Sequence, residues 1–275
     1  MSKDFLSEIV MRKREAVARL VAQKDAGAWR NLALEHRKHA LPHRLPEALE
    51  TDSPTPKIIA EFKRMSPSRG LIRSDLSPAD VAGCYERGGA CAISVLTEEE
   101  YFGGSIDDLI AIRASTRLPV LRKDFTIDSI QIYEAAMAGA DAVLLIAAIL
   151  DDSALEDMRA IAEDELQLDA LLEVHTSDEL RRALNAGARL IGVNNRDLRT
   201  FEVSTRASER IIADAPSDAV MISESGLHSA EQLRHLRALG FRGFLIGETL
   251  MEAGDPEAAL RELIENCNRF PVASP

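Results

Sequence analysis

From about residue 57 onward, the chain repeats one unit eight times, a short apolar run followed by a turn and an amphipathic segment. The runs are nearly continuous in apolar residues, which is typical of strands buried on both faces of a parallel sheet. Eight such units would also fit a doubly wound sheet, but no glycine fingerprint follows the first run. We therefore predict a (β/α)8 TIM barrel with strands at 57–62, 90–96, 118–122, 141–146, 169–174, 189–193, 219–223 and 243–246.

The first fifty residues stand outside this repeat. Residues 5–21 and 29–39 have helical periodicity, so we predict an N-terminal helical extension over 1–50 that partly covers the barrel mouth. The length of 275 residues suits one α/β barrel, and we predict a single domain over 1–275 with the barrel over 57–267. The predicted barrel helices are 78–87, 106–115, 129–138, 152–163, 177–186, 205–214, 230–239 and 256–266.

The composition limits the partners of such a barrel. The net charge of −12 repels phosphate backbones, and only 4% of the residues are aromatic, so we expect no nucleic-acid partner. The three cysteines form neither a close pair nor a metal-ligand spacing, which is typical of a reducing cytosol. The N-terminus has no signal-peptide core, and no apolar run is long enough to span a bilayer. We therefore expect a cytoplasmic protein without a membrane partner.

Charged and polar residues cluster where the predicted strands end. In such barrels, catalytic side chains lie at the C-terminal ends of the strands and in the loops that follow. The first strand ends in Glu61-Phe62-Lys63, which places a carboxylate and an ammonium on the same face. The later strand ends supply Lys123, Glu173, Asn194, Arg196, Glu224, Ser225 and Glu248.

These residue types predict acid–base chemistry on a small anionic substrate. Lysines among carboxylates in a partly dry pocket keep their protons and act as general acids, while nearby glutamates accept protons. Ser66 lies in a loop whose hydroxyls and amides would hold an anion, and Gly226 and Gly247 let backbone amides approach a phosphate. No carboxylate or histidine cluster has metal-ligand spacing, so we expect no metal.

Several of these residues also have simpler interpretations. Glu61 and Lys63 would form a structural ion pair at a barrel rim. His175, just past the fifth strand, is more typical of a loop hydrogen bond than of an acid or base. We expect Arg122 to form a structural salt bridge and Asp124 to brace the next loop. The catalytic interpretation is favoured because several neighbouring strand ends are charged together.

Five stretches carry a family likeness: IAEFKRMSPS (59–68), LRKDF (121–125), LEVH (172–175), IGVNNRDL (191–198) and SESG (223–226). In this order and on these strands, they resemble the indole-3-glycerol phosphate synthase family over essentially the whole chain. The resemblance implies conversion of 1-(2-carboxyphenylamino)-1-deoxyribulose 5-phosphate to indole-3-glycerol phosphate in tryptophan biosynthesis. The steps are ring closure, decarboxylation and dehydration, and no cofactor is used.

The same resemblance implies roles for single residues. Lys123 would be the general acid that protonates the substrate ketone, and Lys63 would contact the substrate carboxylate and serve in the dehydration. Glu173 would stabilise developing positive charge or assist proton transfer, and Glu61 would be the partner base of a lysine. Asn194 would hold a substrate hydroxyl, and Arg196 would orient a catalytic carboxylate. The sugar end would be lined by Glu224 and Ser225, and the anthranilate ring would pack on Phe125 and Leu144. The phosphate would be bound by Ser66, Gly226, Gly247 and the amide of Glu248.

Two positions depart from the family pattern. Met65 stands where many relatives carry a basic residue, and Glu248 stands where some carry serine. A carboxylate beside a phosphate repels it, so we expect the Glu248 side chain to point away.

Two other functions remain open at this point, an aldolase that uses a Schiff-base lysine and a non-catalytic relative that binds a phosphorylated ligand or a partner enzyme. We expect a monomer or weak oligomer. A non-covalent association with other enzymes of the tryptophan pathway remains open.

Overall fold

Eight parallel strands close into a barrel in the computed structural model, which describes residues 5–50, 55–197 and 202–269. Each strand pairs with its neighbours in chain order, and the first strand pairs with the last, with Ala60 opposite Ile246. This arrangement confirms the predicted (β/α)8 barrel. Residues 1–4 of the predicted extension and 198–201 of the predicted barrel lie outside the described residues. The strands are β1 (Lys57–Phe62), β2 (Ala92–Leu96), β3 (Val120–Lys123), β4 (Ala142–Ile146), β5 (Asp169–Val174), β6 (Leu190–Asn194), β7 (Val220–Glu224) and β8 (Gly243–Ile246).

Helices follow the strands and also precede the barrel. The predicted helices are present with their ends shifted by a few residues, and the chain winds into a π-helical turn at Ile161–Glu165 and a 3-10 turn at Ile212–Asp214. The helices are α1 (Phe5–Gln23), α2 (Ala26–Arg37), α3 (Arg44–Leu49), α4 (Pro78–Gly88), α5 (Ile106–Ser115), α6 (Ser129–Met137), α7 (Asp152–Ala160), α8 (Ser177–Asn185), α9 (Arg206–Ile211), α10 (Ala230–Ala238), α11 (Glu248–Met251) and α12 (Pro256–Asn268).

Local sequence accounts for where the barrel helices begin and end. Side chains of Ser77, Asp128 and Ser229 accept hydrogen bonds from backbone amides in the first turns of α4, α6 and α10, which satisfies donors that have no partner within the helix. Gly89, with φ of +94°, ends α4 in the left-handed conformation that glycine adopts most readily. These capping residues determine where the helices begin and end, so the strands between them lie close to their predicted positions in the chain.

The core has two layers. Apolar side chains between the barrel and its surrounding helices form the larger layer, and a smaller one fills the barrel interior. Leu6 and Ile9 of α1 join the interior layer at the mouth, while Leu45 and Leu49 of α3 join it at the opposite end. The extension therefore closes both ends of the barrel, and its α1 covers part of the mouth as predicted.

No helix in the described ranges is both long and apolar enough to cross a membrane.

Asp141, at the start of β4, ties the extension to the barrel. Its Oδ2 atom lies 2.8 Å from Nη1 of Arg44 in α3 and 2.7 Å from Nη1 of Arg113 in α5. The same oxygen accepts a 2.9 Å hydrogen bond from the backbone amide of Val120. A buried carboxylate with two arginine partners holds three separate segments at one point.

We predict that Asp141→Asn lowers the free energy of unfolding by at least about 2 kcal/mol, because two guanidinium groups lose their buried counter-charge. Urea unfolding followed by circular dichroism measures the change. Asp152→Asn is the matched control, because Asp152 also pairs with an arginine but its side chain is 80% exposed. Equal effects of the two substitutions would contradict the role of Asp141.

Candidate active site

A pocket at the C-terminal ends of the strands brings together nearly all of the predicted site residues. Ser66 and Glu224 do not line it, although Glu224 lies directly beside Lys123 and Ser66 lies in the loop that follows β1. The predicted residues that line the pocket are Glu61, Lys63, Lys123, Phe125, Leu144, Glu173, Asn194, Arg196, Ser225, Gly226, Gly247 and Glu248.

Lys123, at the end of β3, is the central cation of the pocket. Its Nζ atom lies 3.6 Å from Oε2 of Glu173 on β5 and 3.7 Å from Oε2 of Glu224 on β7. Burial by itself disfavours the charged amine, but the carboxylates of Glu173, Glu224 and Glu61 outweigh burial and raise the pKa of Lys123. The lysine therefore holds its proton at neutral pH in a site that is largely sealed from water.

Glu224 is a fully buried carboxyl group. Neither of its carboxylate oxygens has a hydrogen-bond donor among the described residues. Burial, with the negative charges of Glu173 and Glu61, raises the pKa of Glu224 to about 8 even though Lys123 acts in the opposite direction. Burial and the neighbouring carboxylates thus oppose the ionised form of Glu224, and the charge of Lys123 favours it.

Glycine at position 192 makes room for Glu224. A Cβ atom at Gly192, on the neighbouring β6, would lie only 1.9 Å from Oε1 of Glu224. No side chain other than hydrogen fits there while the carboxyl group keeps its place.

Glu61 and Lys63 form the ion pair that their spacing on β1 predicts. The Nζ atom of Lys63 lies 2.9 Å from Oε1 of Glu61, and both side chains are largely buried. A Cβ atom at Gly247 would lie 2.4 Å from the same oxygen, so Gly247 leaves space for the carboxylate. The hydroxyl of Tyr85 donates a 2.9 Å hydrogen bond to the backbone carbonyl of Glu61 and fixes the strand end.

Glu173 and its neighbour His175 lie side by side after β5. The Nε2 atom of His175 is 3.6 Å from Oε1 of Glu173, and its Nδ1 atom is 3.5 Å from Oε2 of Glu179 in α8. The backbone amide of His175 also donates a 2.7 Å hydrogen bond to Glu179. Burial opposes charge on the imidazole, but the two flanking glutamates raise the pKa of His175 above its usual value.

Two adjacent asparagines end β6 with different surroundings. Asn194 lines the pocket, and its Oδ1 atom accepts a 3.0 Å hydrogen bond from the backbone amide of Arg196. Asn195 points into the barrel wall, where its amide nitrogen contacts Ser223 and its Oδ1 atom accepts from Ser208. Asn195 therefore braces β6 against β7, a role for which the sequence contains no signal.

A cluster of arginines surrounds Glu248 at one end of the pocket. The Nε atom of Arg69 lies 2.8 Å from Oε1 of Glu248, and Nη2 of Arg196 lies 3.4 Å from Oε2. Arg196 also donates to the hydroxyl of Ser68, which lies 3.4 Å from that of Ser66. Burial disfavours the charged carboxylate, but Arg69, Lys63 and Arg196 lower the pKa of Glu248. The Glu248 carboxylate therefore faces these arginines in the pocket and does not point away as predicted.

An apolar wall faces the charged residues. The ring centroids of Phe102 and Phe125 lie 6.3 Å apart, and Leu6 and Ile9 of α1 complete the wall. Glu98 shapes the loop that carries Phe102, because its carboxylate accepts hydrogen bonds from the amides of residues 100, 101 and 102. Phe125 was expected from the family resemblance, whereas the apolar residues in α1 and in the loop after β2 carry no comparable signal.

The base of the wall is braced by a second buried charge cluster. Arg122 points away from Lys123 and pairs with Asp124 at 3.2 Å and with Glu134 at 2.8 Å, which confirms its structural role. Asp124 also lies 2.7 Å from the Nζ atom of Lys13 in α1. The helix that covers the mouth is therefore anchored to the strand end that carries Lys123.

Solved structures of other proteins share this fold. A thiamine phosphate pyrophosphorylase from Pyrococcus furiosus superposes with a TM-score of 0.59 at 16% identity, covering 78% of this chain and 96% of that protein. A protein named KGPDC from Streptococcus mutans superposes with the same TM-score and identity, over 78% of this chain and 98% of its own. At this identity the likeness shows a shared fold alone.

Sequence comparison is more specific. The family model described as indole-3-glycerol phosphate synthase matches residues 6–263. Proteins of that name from Albidiferax ferrireducens and Carboxydothermus hydrogenoformans are 45% and 46% identical to the chain. Each match covers 94% of this chain, and 98% and 99% of the two relatives. The chain belongs to the indole-3-glycerol phosphate synthase family.

Proposed function

We propose that this chain is an indole-3-glycerol phosphate synthase, a carboxy-lyase that converts 1-(2-carboxyphenylamino)-1-deoxyribulose 5-phosphate to indole-3-glycerol phosphate, carbon dioxide and water. The observation that carries the proposal is the position of Lys123 between two buried carboxyl groups at the mouth of the barrel. The names of the relatives support the same reaction. The activity needs a proton donor that stays charged in a dry site, and Lys123 meets that requirement.

In this proposal Lys123 begins the reaction. As the aromatic carbon attacks the substrate ketone, the ammonium group donates a proton to the carbonyl oxygen, so no alkoxide is released. Positive charge develops at the same time on the nitrogen attached to the aromatic ring, which becomes an iminium, and the Glu173 carboxylate stabilises this charge. Loss of carbon dioxide then removes the positive charge and restores the aromatic ring.

Lys63 and Glu61 serve the later steps. The 2.9 Å ion pair with Glu61 holds the Lys63 side chain beside the pocket, where it contacts the substrate carboxylate. After decarboxylation, Lys63 donates a proton to the leaving hydroxyl group, and Glu61 accepts a proton as its partner base. Asn194 binds a hydroxyl group of the substrate and so positions the sugar-derived carbon chain between Lys63 and Lys123.

The two ends of the pocket match the two ends of this substrate. The anthranilate ring packs against Phe125 and Leu144, and the phosphate lies near Arg196 and the backbone amides at Gly226 and Gly247. Ser66, Ser225 and Glu224 complete the sugar and phosphate surroundings. The phosphate then takes the place of the Glu248 carboxylate beside Arg196, which leaves the amide of Glu248 as a donor.

We further propose that residues 1–275 act as one catalytic unit, because α1 supplies Leu6 and Ile9 to the pocket wall while the barrel supplies the charged groups. An apolar cover of this kind lowers the local dielectric and strengthens each charge interaction inside.

The first prediction concerns Lys123. Purified protein mixed with the substrate, without added metal or cofactor, should develop indole fluorescence, and Lys123→Met should lower kcat by at least about 100-fold. Lys57→Met is the control, because Lys57 begins β1 at the opposite end of the barrel. Full activity of the Lys123 variant would exclude it as the acid. Trapping of a lysine adduct by borohydride would instead favour a Schiff-base aldolase.

The second prediction concerns Glu173. Glu173→Gln keeps the shape of the side chain and removes its charge, so kcat should fall about 100-fold, the scale of losing one main electrostatic group. Stopped assays of indole-3-glycerol phosphate measure kcat, and binding of a substrate analogue checks that the pocket is intact. Glu47→Gln, exposed in α3, should behave as the unchanged protein. A normal rate for Glu173→Gln would refute the assigned role.

The third prediction concerns Glu248. Because its carboxylate occupies the arginine cluster, Glu248→Gln should tighten binding of inorganic phosphate, measured as competitive inhibition. Glu252→Gln is the matched control, because Glu252 lies 3.8 Å from the same Arg69 but is half exposed. Equal effects would show that only the overall charge matters, and weaker phosphate binding by the Glu248 variant would contradict the competition.

A further inference from the structure

His175 is a buried titratable residue that the mechanism above does not use. Both ring nitrogens are buried and have no hydrogen-bond partner among the described residues. A histidine in that setting normally costs stability unless nearby charges compensate for the lost hydration. Here two carboxylates, one on each side of the ring, provide that compensation.

The two oxygens of Glu173 face two different cations. Its Oε2 atom lies 3.6 Å from the ammonium of Lys123, and its Oε1 atom lies 3.6 Å from the Nε2 atom of His175. Oε1 has no hydrogen-bond donor elsewhere in the described parts of the chain. The imidazole of His175 is therefore the polar group that interacts with Oε1 of Glu173 in the described parts of the chain.

Charge balance favours the imidazolium form. Glu61 and Lys63 form an ion pair with each other, and burial opposes the ionised form of Glu224. Lys123 then balances only one of the two carboxylates that flank His175, so a second positive charge is needed in the cluster. Arg182 of α8 also acts on Glu179, but its Nε atom pairs with Oδ1 of Asp152 at 2.6 Å. Further charged groups line the crevice that His175 and Glu179 share: Asp197, Glu202, Arg206, Glu209 and Arg210.

We propose that His175 is a positioning residue, whose imidazolium is held between Glu173 and Glu179 and keeps the Glu173 carboxylate directed at Lys123. This inference rests on the proposed function of Glu173 and adds the group that prepares it. Glu179 orients the ring from the other side and, through its hydrogen bond from the backbone amide of His175, fixes the loop after β5. His175 does not touch the substrate in this scheme.

A pH dependence follows, and its direction is determined by the charge that is lost. The pKa of His175 is raised, so the imidazolium is complete at low pH, persists to a higher pH than in an ordinary histidine, and is lost as pH rises through the raised pKa. Without the imidazolium, Glu173 loses one of its two cations, and its Oε1 atom is no longer held in place on the side away from Lys123. kcat should therefore fall on the alkaline side.

The first test needs no turnover, so it separates this inference from the proposed reaction. NMR of protein with ring-15N histidine should show one of the six histidines doubly protonated at pH 7.5, and that signal should be absent in His175→Gln. In Glu179→Gln, the glutamine oxygen still accepts from the backbone amide but the charge is gone, so the same signal should titrate at lower pH. A neutral His175 ring at pH 7.5 would overturn the inference.

The second test follows the pH profile of kcat. Glu179→Gln should move the alkaline limb to lower pH, whereas Glu231→Gln, an exposed residue in α10 with the same change in net charge, should leave it unmoved. His175→Gln should lower kcat at least about tenfold with a much smaller change in KM. His235→Gln, on the outer surface beside Glu209, serves as its control. An unmoved limb in Glu179→Gln, or normal kcat in a folded His175→Gln, would show that His175 has only a structural role.

Discussion

A charged lysine inside a protein is stable only when carboxylates approach it closely enough to offset its lost hydration. Lys123 meets this condition because β1, β5 and β7 each direct one carboxyl group toward it. Those three strands are distant in the sequence and are brought together only when the sheet closes on itself. The closure of the barrel and the charge state of Lys123 therefore depend on each other. The negative charge of Glu173 raises the pKa of Glu224, and the same charge favours the protonated forms of Lys123 and His175.

The N-terminal extension contributes to this electrostatic setting without supplying a charged group to the reaction. Leu6 and Ile9 cover part of the mouth, and the Lys13–Asp124 ion pair anchors their helix beside the catalytic strand end. A dry cover increases every charge interaction beneath it, because the local dielectric constant falls. At the other end, α3 seals the barrel with Leu45 and Leu49, while Asp141 ties this helix to two barrel segments.

The sequence was most informative where its signals are local. Continuous apolar runs and glycine turns placed all eight strands, and charged residues at strand ends placed most of the pocket. The strands β2 and β3 begin two residues later than the apolar runs, because the first residues of those runs belong to the turn that leaves the preceding helix. The short α3 and α11 and the hairpin of Met65–Ser66 with Gly70–Leu71 were not predicted, because segments of two to six residues hardly establish a period.

Contacts that join distant segments could not be predicted from those signals. Arg69 reaches Glu248 across 179 positions of the chain, and Phe102 reaches the pocket through a loop whose shape depends on Glu98. His175 was noticed because of its place beside Glu173, but its second partner, Glu179, belongs to the following helix. Its position between two carboxylates is a property of the folded loop. Spacing in the sequence could suggest the residue but not its electrostatic surroundings.

The absence of a side chain at Gly192 has a consequence for how this family could change over time. Because a methyl group there would meet the carboxyl group of Glu224, the two positions are constrained as a pair. An alanine at 192 becomes acceptable only after Glu224 has been replaced by a shorter residue or has moved. With alanine in place, its methyl group occupies the space that a glutamate at 224 would need. A lineage that took this step would have to restore glycine at 192 before it restored glutamate at 224. The order of substitution at the two positions is therefore determined in both directions. Gly192 on β6 preserves the space that the carboxyl group of Glu224 needs on β7.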